Sequence, residues 1–191
     1  MVTRHFQEAA INTLDIISHS SAQTQRLGMR LGELLCGGEL LLLEGSLGTG
    51  KTTFTQGLAQ GMGISEVINS PTFTLLKEYA GQPVPTARSE QGQVALSQRQ
   101  AGPALYHFDL YRLDNAEEIL DLGFEEYFFS DGVCVVEWAD KANLLWPTEH
   151  LRLGMKMLSE TKRGLLFTAT GARYCDLLQQ FQKNAYATIS S

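Results

Sequence analysis

The chain has 191 residues, 43% of them hydrophobic and 19% charged, which is enough to bury a sizeable core in one ordinary globular domain. Its formal net charge of -6 argues against a protein that holds nucleic acid alone by neutralising phosphates, so independent nucleic-acid binding is expected to be weak or nil. No apolar run approaches the length of a membrane span, and the start M-V-T-R-H-F-Q-E lacks the apolar core of a signal peptide.

Leu14–Ser18 reads as a first short strand. Ser20 and Gln23 have the spacing of a helix-capping pair, and Leu27, Leu31, Leu34 and Leu35 then fall on one helical face until Gly37-Gly38 stops the helix. Leu40–Leu43 is an unbroken apolar run, as in a strand covered on both faces of a parallel sheet. Directly after it comes Gly45-Ser46-Leu47-Gly48-Thr49-Gly50-Lys51-Thr52, the phosphate-cradling pattern G-x-x-x-x-G-K-S/T, with Thr53 following it. Glycines let the backbone turn its N–H groups onto phosphate oxygens, and the next helix, from Thr52 to about Met62, adds its N-terminal donors. Lys51 can reach the β- and γ-phosphates, and the Thr52 hydroxyl can sit on Mg2+. Gly57, Gly61 and Gly63 weaken or end that helix and carry no phosphate signal.

Asn69-Ser70-Pro71-Thr72 is a loop, followed by an expected strand over Phe73–Tyr79. A hydroxyl at Thr72 can close on the γ-phosphate as switch loops do, or simply cap the turn. Gly81 to Gly102 is rich in Gln, Pro, Gly, Ser and Ala without any period, and reads as a flexible surface insertion; a lid or docking loop is the functional alternative.

Leu105–Phe108 is the next strand and ends at Asp109. A short helix spans Asn115–Leu122, begun by Asp114 or Asn115, and a further helical turn covers Glu125–Phe129. After the turn Ser130-Asp131-Gly132, the apolar run Val133–Val136 ends at Glu137. Asp109 and Glu137 therefore stand at strand ends, the edge that faces phosphates in such folds, and either can hold Mg2+ directly or through water. The plainer alternative for each is a helix cap or a solvated carboxylate. His107 alternates with Asp109 and can share its face as a supporting residue. Trp138 reads as a packing residue and Arg112 as half of a surface ion pair. Residues 151–157 alternate as a half-buried antiparallel strand does, Lys162-Arg163-Gly164 reads as a turn, and Leu165–Ala169 as a strand. A last helix is expected over Ala172–Phe181, with fraying from Asn184. Cys36, Cys134 and Cys175 show no zinc or redox spacing, which suits reduced thiols in the cytoplasm.

The fold class read from this order is α/β: a three-layer P-loop NTPase-like core. Its central sheet is mostly parallel with an antiparallel C-terminal portion, and helices cover both faces. Residues 1–191 are read as one P-loop ATPase domain with an insertion at about 81–104 and a frayed tail at about 184–191.

The runs G-S-L-G-T-G-K-T-T, S-P-T-F-T-L, Y-H-F-D-L-Y-R-L and V-V-E-W, in that order, resemble the TsaE (YjeE) family of bacterial tRNA threonylcarbamoyladenosine biosynthesis ATPases. The resemblance covers residues 20 to 170 apart from the insertion. It implies a Mg2+-dependent ATPase that is slow alone and acts as a partner-gated switch on TsaB and TsaD. It implies nucleotide contacts from Gly45 to Thr53. Thr52 and Glu137 become the metal contacts, Asp109 the essential acidic residue and Thr72 the switch threonine; Lys51 is implied in catalysis with them. Ser20 and Arg163 lie where the family meets the nucleotide. Two other readings of the residues stand beside this one: a small-molecule kinase with Asp109 as base, and a nucleotide-sensing adaptor that does not hydrolyse.

Overall fold

The four leucines of Leu40–Leu43 lie in the interior of a seven-stranded sheet, buried on both sides. The structure is a computed structural model and describes residues 12–81, 102–113 and 116–187. Nearly all of the expected insertion, the expected caps Asp114 and Asn115, and the tail from 188 lie outside the described residues.

Along the chain run β1 (Thr13–Ser18), α1 (Ser21–Gly32), β2 (Leu40–Glu44), α2 (Lys51–Gly61), β3 (Leu76–Tyr79) and β4 (Leu105–Asp109). Then come α3 (Ala116–Asp121), α4 (Glu125–Phe128), β5 (Val133–Glu137), a 3-10 turn (Ala139–Ala142), β6 (His150–Met157), β7 (Arg163–Thr170) and α5 (Ala172–Ala187). The strand order is β1-β7-β6-β2-β5-β4-β3. The inner strands β6, β2, β5 and β4 are parallel, which brings the C-terminal ends of β2, β5 and β4 to one edge. Antiparallel pairs close both flanks, β7 and β1 on one side and β3 on the other. The antiparallel part is therefore not confined to the C-terminal strands.

Alternation along β2 and β5 splits the core in two. Leu41, Leu43, Val133 and Val135 face α1, α2 and α5, where Leu31, Phe54 and Phe181 are buried. Leu40, Leu42, Cys134 and Val136 face Phe108, Ile119, Phe128 and Trp146. This is the expected α/β layering with helices on both faces.

Several boundaries move for local reasons. The strand expected from Phe73 begins only at Leu76, because the Pro71 carbonyl accepts from the N–H groups of Thr74 (3.0 Å) and Leu75 (2.7 Å) and closes a turn. Helix α1 stops at Gly32, and Leu34 and Leu35 continue in a tighter turn onto the carbonyls of Leu31 and Gly32. Residues 158–162, not Lys162-Arg163-Gly164, connect β6 to β7, so Arg163 opens the strand. Helix α5 runs past Phe181 and Asn184 to Ala187, with Ala185 still packed on the core. Within α1 the capping pair is only half reciprocal: Gln23 N–H donates to Ser20 Oγ (3.1 Å), but Gln23 Oε1 accepts from His19 N–H (2.8 Å), one residue earlier than the box requires.

Candidate phosphate-binding site

Glycine dictates the path from β2 into α2. Gly50 precedes the helix with φ +101°, a left-handed conformation that a side chain would strain, and no side chain caps the first turn of α2. Gly45 is excluded from substitution twice over, by φ +136° and because a Cβ there would stand 2.3 Å from the Met155 carbonyl. Thr49 Oγ1 donates to Ser46 O (2.9 Å) and pins the loop from inside. The result is a tight loop ahead of a helix N-terminus, the arrangement that suits an anion.

Lys51 begins α2 and is buried, with Nζ donating to the carbonyls of Gly45 (2.7 Å) and Ser46 (3.2 Å). The same ammonium lies 3.8 Å from the centre of the Trp138 ring. Burial pushes the Lys51 pKa below its ordinary value, while Glu137, Asp109 and Asp140 pull it back up. Trp138 takes a left-handed φ of +63°, a strained conformation for a bulky residue, and packs on Tyr111 with ring centres 5.0 Å apart. It is thus more than packing, since it covers the lysine that the motif singles out.

Parallel pairing of β4 and β5 sets Asp109 directly opposite Glu137. Both carboxylates are buried, and every oxygen of each has a donor. Glu137 Oε2 accepts from Thr52 Oγ1 (3.0 Å), and Oε1 pairs with His107 Nε2 (2.9 Å). His107 does share the face of Asp109, yet its partner is Glu137. Asp109 Oδ2 accepts from Thr72 Oγ1 (2.6 Å) and from Ser70 Oγ, while Oδ1 accepts from the Tyr111 N–H (2.9 Å). The Ser70 and Thr72 hydroxyl oxygens thereby come within 2.6 Å of each other. Arg112, expected in an ion pair, lies over the exposed Phe73 ring at 3.8 Å and has no carboxylate partner among the described residues.

Ser20 and Arg163 meet at a second part of the site. Together with Gly48, Gly50 and Thr53 they line a cleft of about 240 Å³ between the start of α1 and the β6–β7 connection. Ser20 Oγ is the N-cap of α1, and Arg163 donates to the carbonyls of Ser159 and Glu160 (both 3.1 Å) and to that of Gly48 (3.4 Å).

The oxygens that converge are hard donors: one hydroxyl and one carboxylate from Thr52 and Glu137. Mg2+ suits such a set when phosphate and water complete its shell. Among the described residues no three His, Cys, Asp or Glu gather into a metal cluster. Two participants escaped sequence reading. Ser70 looked like part of a proline turn, and Trp138 like core. Only the register of β4 beside β5 and the left-handed turn after Glu137 reveal their positions.

Residues 18–165 match the family model for "Threonylcarbamoyl adenosine biosynthesis protein TsaE". The Bacillus subtilis tRNA threonylcarbamoyladenosine biosynthesis protein TsaE is 41% identical over 77% of this chain and 80% of its own length. Its Treponema pallidum namesake is 36% identical over 77% and 94%, and that of a Nostoc species is 41% identical over 81% and 85%. The crystal structure of Bacillus subtilis YdiB superposes with a TM-score of 0.70 at 31% identity, covering 92% of this chain and 98% of that one.

Proposed function

The chain belongs to the TsaE family, and from that premise we propose that it is a Mg2+-dependent ATPase serving threonylcarbamoyladenosine modification of tRNA, gated by the TsaB and TsaD subunits. The observation that carries this reading is the 3.0 Å bond from Thr52 Oγ1 to Glu137 Oε2, which joins the phosphate loop to the strand-end carboxylate.

In this reading the backbone N–H groups from Gly45 to Thr53 hold the phosphates, and Ser20 and Arg163 flank the rest of the nucleotide. Lys51 turns its ammonium from the loop carbonyls to phosphate oxygens. Thr52 and Glu137 would hold Mg2+, which would offset negative charge on the phosphates. Asp109 keeps Thr72 and Ser70 in place, and it would be available to the metal only with those hydroxyls turned away. Thr72 is then free to meet the γ-phosphate.

Slow turnover alone follows from the same contacts. Each oxygen of Asp109 and Glu137 is already engaged by a neighbouring donor, so neither stands as a free base for water or for an acceptor hydroxyl. That also disfavours the kinase reading. A partner that completes the site would supply what these residues lack. We read the chain as one P-loop domain around its single described sheet, working in the cytoplasm with its cysteines as free thiols. The chain's acidity leaves tRNA contact to the partners.

Phosphate release measured with and without TsaB–TsaD tests the proposal. Stimulation by the partners and its loss in Lys51→Ala are expected. Equal rates with and without partners would overturn gating, and tight ATP binding with no release in either case would favour the adaptor.

A further inference from the structure

Glu137 has one neighbour that the phosphate-loop chemistry does not account for. His107 is wholly buried on β4, in register with Val135, and its ring reaches diagonally across to the carboxylate at the end of β5. Nε2 lies 2.9 Å from Glu137 Oε1, while Glu137 Oε2 faces Thr52 Oγ1 at 3.0 Å. A carboxylate only accepts, so the bond assigns the ring proton to Nε2. Nδ1 then has no hydrogen-bond partner among the described residues, although it too is buried. A side chain selected only to fill space would not bring an unpaired nitrogen into the interior. The bond through Nε2 is what distinguishes this imidazole from an apolar residue of similar size.

We propose that His107 is a positioning residue for Glu137: it fixes one carboxylate oxygen so that the other stays directed at Thr52. The inference rests on the reading of Thr52 and Glu137 as the metal-holding pair. A glutamate has three rotatable bonds, and without a fixed oxygen its carboxylate rotates among orientations of which few face the phosphate loop. Groups that orient a metal-binding carboxylate change metal affinity by about tenfold or more when removed.

The choice of substitution separates the bond from the bulk. The amide nitrogen of glutamine is as many bonds from Cα as histidine Nε2, whereas that of asparagine matches only Nδ1. The purified full chain is titrated with Mg2+ while its affinity for a fluorescent ATP analogue is read, and the affinity is measured separately in EDTA. In His107→Asn the Mg2+ needed for half of the Mg2+-dependent tightening is expected to rise about tenfold. In His107→Gln it should stay within about threefold of the parent, and EDTA affinity should hold in both. An unmoved titration in His107→Asn, or an equal loss in His107→Gln, overturns the positioning role. Glu137→Gln separates the two levels: if that variant also titrates like the parent, the metal-pair reading has failed instead. Should His107→Asn not fold, nitrogen NMR of the parent reads the same bond. Nε2 should keep its proton and shift when Mg2+ and nucleotide are added, and an unmoved resonance overturns the proposal.

Discussion

The Lys51 ammonium is held between the Trp138 ring, 3.8 Å from its centre, and the Gly45 carbonyl at 2.7 Å. Its pKa is depressed chiefly by burial, so the folded chain releases this proton before the unfolded chain does. Between the lowered value and the ordinary 10.5, the unfolded state binds more protons, and the Lys51 contribution to stability rises with pH. Lys51→Met removes that increment. Urea midpoints of parent and variant, compared from neutral pH up to 10.5, should show the parent gaining on the variant across the alkaline window. Parallel profiles would contradict the buried charge. The variant should also lose phosphate release altogether.

At the next residue, Thr52→Val keeps shape and removes the hydroxyl that bonds Glu137 Oε2. Nucleotide affinity in EDTA should survive, while its Mg2+-dependent part falls by about 10- to 100-fold. Thr52→Ser retains the hydroxyl and should restore most of it. Isothermal titration with and without Mg2+ makes the comparison, and a uniform loss under both conditions would show that Thr52 acts through the fold.

Asp109 ties the Ser70–Thr72 loop to the end of β4 through two hydroxyls. A hydrogen bond to a charged acceptor contributes about 1.5–3 kcal/mol, and asparagine keeps a weaker, uncharged acceptor, so Asp109→Asn should destabilise the chain by about 1–3 kcal/mol. Hydrogen exchange at Thr74 and Leu75, whose N–H groups donate to Pro71 O, should accelerate because the loop loses its anchor. Thr72→Ala should slow phosphate release in the presence of TsaB–TsaD yet leave ATP affinity near the parent's. A loss of affinity as large as the loss of rate would make Thr72 a ground-state contact.

Much of this site was readable because its chemistry is local in sequence. The phosphate loop is eight consecutive residues, Glu137 follows the apolar run Val133–Val136, and Asp109 closes the strand segment Leu105–Phe108. Their adjacency was not readable, since it depends on β4 pairing with β5 across the insertion. Arg163 was placed in a turn because Lys162 and Gly164 flank it, whereas the turn closes earlier, with Leu158 N–H on Lys162 O, and frees Arg163 to reach Gly48 O. Trp138 followed the same logic: nothing in V-V-E-W announces a left-handed turn that lays the ring over Lys51. The sequence reads Gly57 and Gly61 only as weakening or ending their helix; the crossing of α1 on α2 is what gives their spacing a packing role.

Gly28 and Gly32 on α1 lie against the backbone of α2 at Phe54 and Leu58, and Gly57 and Gly61 on α2 lie against the α1 backbone at Gln25 and Met29. A Cβ on Gly57 would stand 1.9 Å from the Gln25 carbonyl, and one on Gly28 would stand 2.2 Å from that of Phe54. In an isolated helix, Gly→Ala stabilises by about 0.5–1 kcal/mol. Here the sign should invert, because rigid backbone cannot yield as a flexible side chain would, and the helices must separate. Gly57→Ala is expected to destabilise by about 1–3 kcal/mol, the usual range for overpacking. It should also weaken nucleotide binding, since α2 carries Lys51 and Thr52 while the start of α1 carries Ser20 beside the phosphate loop. Gly154→Ala serves as the control: its Cβ would meet nothing closer than 3.9 Å, so stability and affinity should stay near the parent's. Urea denaturation and ATP titration of the three chains decide the matter, and a Gly57→Ala chain as stable as the parent would refute the close crossing.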